Sequence, residues 1–175
     1  KSLLGVKITS IVNSGSLVSD DIINTLIEKI VSNNDYKNQI IFDGYPRNIS
    51  QAKNLNILLH KYDQKVDLVI RLKVSLDVIK KRITGRIVCS KCGNIYNEFF
   101  KPPEVDTTCC QSEFLKKRDD DNLEVAIKRF ETYEKSTEPV LDFYNKMNIV
   151  KHINGEANID VIYNEISSFL NVIEG

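Results

Sequence analysis

Little in this sequence leans toward one sign of charge or one solvent. Its 24 Lys and Arg are matched by 24 Asp and Glu, so formal net charge is near zero. That balance argues against a general nucleic-acid or membrane-surface binder, which needs a basic excess. No apolar run approaches the roughly 20 residues a helix needs to cross a bilayer, and no secretory signal peptide is visible. Trp is absent, which says nothing about function. The first residue is Lys1, not Met, so any upstream targeting segment is out of view. What remains is a chain of 175 residues, enough for one compact domain with a substantial core and a small insertion.

The cysteines are few and unevenly placed. Cys89, Cys92, Cys109 and Cys110 all lie in one short stretch. A local cluster opening with C-x-x-C points to a metal site in a reducing compartment, the cytoplasm, rather than to a disulfide framework.

Outside that stretch, helical and strand patterns alternate. Ser19 before Asp20 and Asp21 predicts a helix start, because a short oxygen side chain accepts from orphan N–H groups and acids favour the first turn. Ile22, Ile23, Leu26, Ile27, Ile30 and Val31 then repeat with helical period. Gln39 to Phe42 reads as a short buried strand ending at Asp43-Gly44. Gln51 to His60 reads as a helix, Val66 to Leu72 as a strand and Leu76 to Ile83 as a helix. Ile149 to Ile153 reads as a strand and Ile159 to Val172 as a terminal helix. Such alternation implies parallel strand pairing with helices over both faces. Gly85 to Asn122 breaks the alternation. It holds all four cysteines and the Pro102-Pro103 pair, and reads as an insertion with its own local staple.

Two features carry chemistry. Asp43-Gly44-Tyr45-Pro46-Arg47 follows the first strand, with Gln51 four residues on. Ligands of parallel α/β sheets sit beyond the carboxyl ends of strands. An Arg there grips a phosphate with two parallel hydrogen bonds, and an Asp organises Mg²⁺ and its waters. Read blandly, the same residues are a turn set by Pro46. The second feature is four arginines around the insertion: Arg82 and Arg86 before it, Arg118 and Arg129 after it. Phosphoryl transfer needs charge neutralisation and in-line positioning, which arginines at both hinges would supply. Any one of them alone is more simply a surface arginine.

Together these stretches resemble the adenylate kinase family. Gly15-Ser16-Leu17-Val18 looks like the end of its AMP-binding segment, and Asp43 to Arg47 with Gln51 looks like its signature. Gly85 to Gly93 with Tyr96 and Pro102-Pro103 resembles the start of its long, metal-bearing lid. Arg118-Asp119-Asp120-Asp121-Asn122 through Lys128-Arg129, then Thr137-Glu138-Pro139, resembles the lid's end and return helix. The resemblance implies an α/β fold: a three-layer, parallel-sheet nucleoside monophosphate kinase core with a small inserted lid. The expected division is 1–18 for the rest of the AMP segment, 19–84 core, 85–122 zinc-binding lid and 123–175 core. The implied reaction is Mg²⁺-dependent ATP + AMP ⇌ 2 ADP, with hinged closure excluding water.

The resemblance also implies roles. Ser16, Leu17 and Val18 match backbone contacts to AMP. Gly44, Tyr45, Pro46 and Arg47 match the AMP loop, with Arg47 on the phosphate and Asp43 associated with Mg²⁺. Gln51 matches the residue that bonds adenine; related pyrimidine kinases usually carry Asn near there. Arg82 and Arg86 match arginines on the phosphates of ATP, and Arg118 and Arg129 match arginines bridging both nucleotides. Ile95 and Tyr96 match an ATP-contacting pair in the lid. Gly155, Glu156 and Ala157 match the loop passing the ATP adenine. ATP, AMP and ADP are the implied partners of a monomer, with no nucleic acid and no membrane.

Two departures from the family stand out. Nothing here fits G-x-x-x-x-G-K-[ST], the loop whose N–H groups cradle phosphates. The expectation is an incomplete view of a fuller enzyme, inactive as written. In the lid, Cys89, Cys92 and Cys109 match three metal ligands, but Ser112 stands in the fourth place. Cys110 is the first substitute and Glu113 the second, for a structural Zn²⁺. A lid held by hydrogen bonds without metal is the alternative. Other readings are a kinase for another nucleoside monophosphate or using GTP, an inactive fragment or pseudo-enzyme, and a zinc-knuckle nucleic-acid module.

Overall fold

The computed structural model describes residues 19–103 and 110–174. The architecture is α/β, a mixture of helices and strands with a parallel sheet. Its contacts divide into two compact units, Lys1–Leu68 with Ser136–Ile149, and Val69–Lys135 with Val150–Gly175. Ser16, Leu17, Val18 and Cys109 lie outside the described residues.

In the first unit, α1 spans Asp20–Val31, with Asp20 and Asp21 in its first turn against the positive end of the helix dipole. Ser19 does precede the helix, but its side chain makes no capping bond. Its backbone carbonyl instead accepts from the N–H groups of Ile22 and Ile23 at 3.1 and 3.2 Å. Helix α2 spans Ile49–Lys61 and starts earlier than the sequence predicts, because Asn48 caps it: Asn48 Oδ1 accepts from Gln51 N at 2.8 Å. Val31, Leu55 and Leu59 form the buried centre, with Ile27, Ile40, Phe42, Tyr45 and Leu58 packed around them. Gln64 is buried with them, and its amide is satisfied by Val31 O at 2.9 Å and Asn38 N at 3.1 Å. Helix α5, Glu138–Asn145, packs on α2, and Tyr144 donates to Asn56 Oδ1 at 3.3 Å.

The buried strand predicted at Gln39–Phe42 is not formed. The segment is without regular structure, and Ile41 is 89% exposed while Ile40 and Phe42 pack on the core. A strand exists only where a neighbour offers a row of N–H and C=O groups. Among the described residues none does.

In the second unit, β1 (Val69–Lys73) and β5 (Val150–Asn154) pair in parallel, from Val69 opposite Val150 to Lys73 opposite Asn154. Both strands start slightly later than their apolar runs suggest. Ile153 is buried and α6 (Ile159–Glu174) packs on β5. Helix α3, Leu76–Thr84, packs on α4, Leu123–Thr132. Between them lies the insertion, a small antiparallel sheet in the order β3-β2-β4, with β2 at Arg86–Cys89, β3 at Ile95–Asn97 and β4 at Leu115–Lys116. Gly85 joins α3 to β2. A Cβ there would lie 2.7 Å from the Phe99 ring and 2.8 Å from Lys81 O, so only glycine fits. Asn97 closes this corner, its Nδ2 donating to Arg82 O at 3.0 Å.

Candidate functional site

The loop at 43–47 is held at several points. Gly44 has φ +70°, a left-handed conformation that favours glycine, and the Tyr45–Pro46 peptide is cis. Arg47 N donates to Gln51 Oε1 at 2.7 Å, and Arg47 O accepts from Thr137 Oγ1 at 2.9 Å. The Tyr45 hydroxyl lies 3.4 Å from Gln51 O. Burial, then the charge of Asp20, raises its pKa. These bonds fix the backbone and leave the Arg47 side chain exposed, steered by Nε donating to Gly44 O at 2.6 Å. An exposed guanidinium on a pinned loop can donate paired hydrogen bonds to an oxyanion. Asp43 is exposed at the loop's start.

Gln51 is the main support of this loop. It is 5% exposed; its Oε1 holds Arg47 N and its Nε2 donates to Asp20 Oδ1 at 2.7 Å. Both ends of the amide are therefore engaged within the protein. Sequence reasoning placed Gln51 at a base and did not anticipate Asp20 as its partner or Thr137 as the partner of Arg47, since both are far away along the chain.

In the second unit Arg82, Arg86, Arg118 and Arg129 are each held by a specific acceptor. Arg86 makes a fork with Asp121, Nε to Oδ2 at 2.8 Å and the second nitrogen to Oδ1, and the Asp121 side chain is fully buried. The hydrogen bond that Arg86 donates to Asp121 is the chief cause raising the Arg86 pKa. Asp120 serves two arginines at once. Its Oδ1 lies 3.2 Å from Arg118 Nε, and its Oδ2 accepts from Arg129 at 2.7 Å. The Arg129 bond chiefly lowers the Asp120 pKa. Arg118 and Arg129 are thus brought to one point, beside the Arg86–Asp121 pair. Asn122 follows at once and caps α4, its Oδ1 accepting from Val125 N at 2.9 Å.

Arg82 sits apart from these acids. It donates to Gly155 O at 2.7 Å and lies over the Phe100 ring at 5.8 Å. The loop it touches follows β5. Gly155 N donates to Lys73 O at 2.9 Å, and Glu156 Oε1 accepts from Ser75 N at 2.6 Å, which lowers the Glu156 pKa. Arg82, Gly155, Glu156 and Ala157 therefore gather at the carboxyl ends of the parallel strands β1 and β5, where ligands of such sheets bind.

In the insertion, the sulfurs of Cys89, Cys92 and Cys110 all lie within 4.8 Å of one another. Cys92 Sγ and Cys110 Sγ are 3.6 Å apart, and the Tyr96 hydroxyl donates to Cys110 Sγ at 3.0 Å. That bond chiefly raises the Tyr96 pKa. Ile95 is exposed on the same sheet. Glu113 and Ser112 are exposed on a 3₁₀ turn and are not in the cluster. A hollow of about 480 Å³ beside His60, Asp63, Lys65 and Asp67 contains none of the predicted site residues.

The family description adenylate kinase matches residues 1–149 of this chain. An adenylate kinase of Pelagibacter ubique is 46% identical over 172 residues, covering 98% of this chain and 81% of the relative. An adenylate kinase of Thermosipho africanus is 39% identical over 175 residues, covering 99% and 80%. One from Thermodesulfovibrio yellowstonii is 38% identical over 169 residues, covering 95% and 78%.

Proposed function

Because the chain belongs to the adenylate kinase family, we propose that its arginines are the phosphate-binding set of an enzyme catalysing ATP + AMP ⇌ 2 ADP. The observation that supports this most directly is the convergence of Arg118 and Arg129 on one carboxylate, Asp120, beside the Arg86–Asp121 fork. Two carboxylates hold the three guanidiniums at one place, and Arg118 and Arg129 stay half-exposed there, so their charge is open to an anionic ligand. Arg86, Arg118 and Arg129 would neutralise charge as a phosphoryl group moves, with Arg82 on the ATP side. Magnesium enters with ATP as part of the substrate, with Asp43 as the residue associated with it.

Arg47 takes the AMP phosphate, on a loop of Gly44, Tyr45 and Pro46 supported by Gln51. For Gln51 to read adenine as well, its amide has to share or exchange its bond to Asp20. Ser16, Leu17 and Val18 complete the AMP side in this reading. Ile95, Tyr96 and Ala157 border ATP, and 85–122 acts as the lid.

The lid thiols suit Zn²⁺. Tetrahedral zinc with Zn–S near 2.3 Å holds sulfur pairs about 3.8 Å apart, close to the 3.6 Å between Cys92 and Cys110. Cys89, Cys92 and Cys110 supply three soft donors, with Cys109 as the fourth. Zinc there would join the two arms of an insertion with little core of its own.

The test is a coupled assay of ADP formed from ATP and AMP, with other nucleoside monophosphates and GTP as competitors. Preference for a non-adenine acceptor would reject the assignment of the AMP loop. Metal analysis of protein purified without chelator tests the zinc.

A further inference from the structure

The thiol cluster has an asymmetry that metal binding does not use. Cys92 is exposed, whereas Cys89 and Cys110 are 1% and 2% exposed. The sulfur of this exposed residue lies 3.6 Å from that of buried Cys110, on the other arm of the insertion and 18 residues along the chain. Cys92 sits in the turn between β2 and β3, and Cys110 precedes the 3₁₀ turn at Ser112–Phe114. The backbone around Cys89 is fixed by ladder pairing with Leu115 and by Cys89 N donating to Asn94 O at 2.9 Å. Of the three described cysteines, Cys92 is therefore the one an oxidant reaches from solvent, and the sulfur of Cys110 stands ready behind it.

We propose that Cys92 is a site of reversible thiol oxidation by hydroperoxides, with Cys110 as its resolving thiol. In the first step the Cys92 thiolate attacks one peroxide oxygen. The O–O bond breaks, hydroxide (or alkoxide) leaves, and Cys92 becomes a sulfenic acid as the peroxide is reduced. In the second, the Cys110 thiolate attacks the Cys92 sulfur. An S–S bond forms, the S–O bond breaks, and hydroxide leaves and takes up a proton as water. The two protons lost by the thiols balance the two hydroxides. The Tyr96 hydroxyl, 3.0 Å from Cys110 Sγ, orients the resolving sulfur and is a positioning group only. The link ties the two arms of the insertion covalently. It removes two of the four thiolates that would hold zinc, so oxidation and metal exclude one another. A thiol reductant restores the starting state.

This proposal does not depend on the phosphate roles given to the arginines. The test treats the full chain, as purified and after chelator, with hydrogen peroxide, followed by alkylation and non-reducing peptide mapping. The expected result is loss of two of the four thiols, a single cross-linked peptide pair joining Cys92 to Cys110, and full recovery with dithiothreitol. Zinc present in the purified protein should be released in step with the link. Cys92→Ser should abolish the cross-link, whereas Cys89→Ser should still form it. Cys92 linked to Cys89 or Cys109, over-oxidation of Cys92 to the sulfinic acid, or no thiol loss in either sample would each overturn the proposal.

Discussion

Arg47 is the residue whose role can be separated most cleanly from folding, because its side chain is exposed while its backbone N–H and C=O are both bonded. Arg47→Ala in the active enzyme should weaken AMP and leave ATP nearly unchanged. A charge-assisted contact is worth about 2–3 kcal/mol, so the loss is roughly 30- to 150-fold. Equal weakening of both nucleotides in binding titrations removes Arg47 from the AMP site. Arg86, Arg118 and Arg129, each changed to Ala, should lower turnover by roughly tenfold or more. Lys at these places should rescue only in part, since the planar fork is lost; three variants with unchanged turnover would refute the assignment. Asp120 gives a pH signature. Its folded pKa is lowered, chiefly by Arg129, so its contribution is present above the unfolded value near 3.9 and is lost as pH falls through the lower folded value. The melting-temperature gap between wild type and Asp120→Asn should therefore be constant at neutral pH and shrink in acid below about pH 4. The arginines were legible from their flanking motifs. Their pairing was not, because Asp119, Asp120 and Asp121 are adjacent in sequence and only the fold decides which acid faces which arginine.

At the scale of elements, the insertion is joined to α3 at the Gly85 corner and brings three cysteine sulfurs together. Gly85→Ala should disturb the α3–β2 corner, because the new Cβ meets the backbone carbonyl of Lys81 and the Asn97 amide that caps the corner. Hydrogen exchange should then quicken in β2 and β3 while α1 and α2 keep their protection; uniform change throughout the chain would mean the corner is not the local cause. If zinc is bound, chelation should likewise loosen β2, β3 and β4 and spare the buried Val31, Leu55 and Leu59, which need no metal to pack. Helix positions were legible from periodicity, yet the start of α2 moved because Asn48 supplies its cap ahead of the apolar pattern. The run Gln39–Phe42 shows the opposite limit. Apolar content marks a segment for burial, but ladder formation needs a partner that composition cannot name.

The molecule as a whole carries no net charge near neutral pH, with a sequence pI of about 6.9. Its solubility should be lowest near pH 7 and rise on either side, since like-charge repulsion between copies vanishes there. It should also show no salt-sensitive retention on RNA or DNA, because no excess of cations is available to release counterions; steep salt dependence in a binding assay would revive the zinc-knuckle reading. Among the described residues no helix is long and apolar enough to cross a membrane. The sequence by itself determined the α/β class, the order of the helices, the family, the loop at 43–47 and the clustering of cysteines. These depend on period, turn chemistry and motif spacing, all of which are local. Only the tertiary structure decided that Gln51 supports Arg47 while bonded to Asp20, that Asp120 is shared by Arg118 and Arg129, that Arg82 reaches the loop after β5, and that Cys110 joins Cys89 and Cys92. The contacts of Gln51 with Asp20, Arg82 with Gly155 and Cys92 with Cys110 close loops between distant positions, and which ends meet is set by packing, which no local pattern encodes.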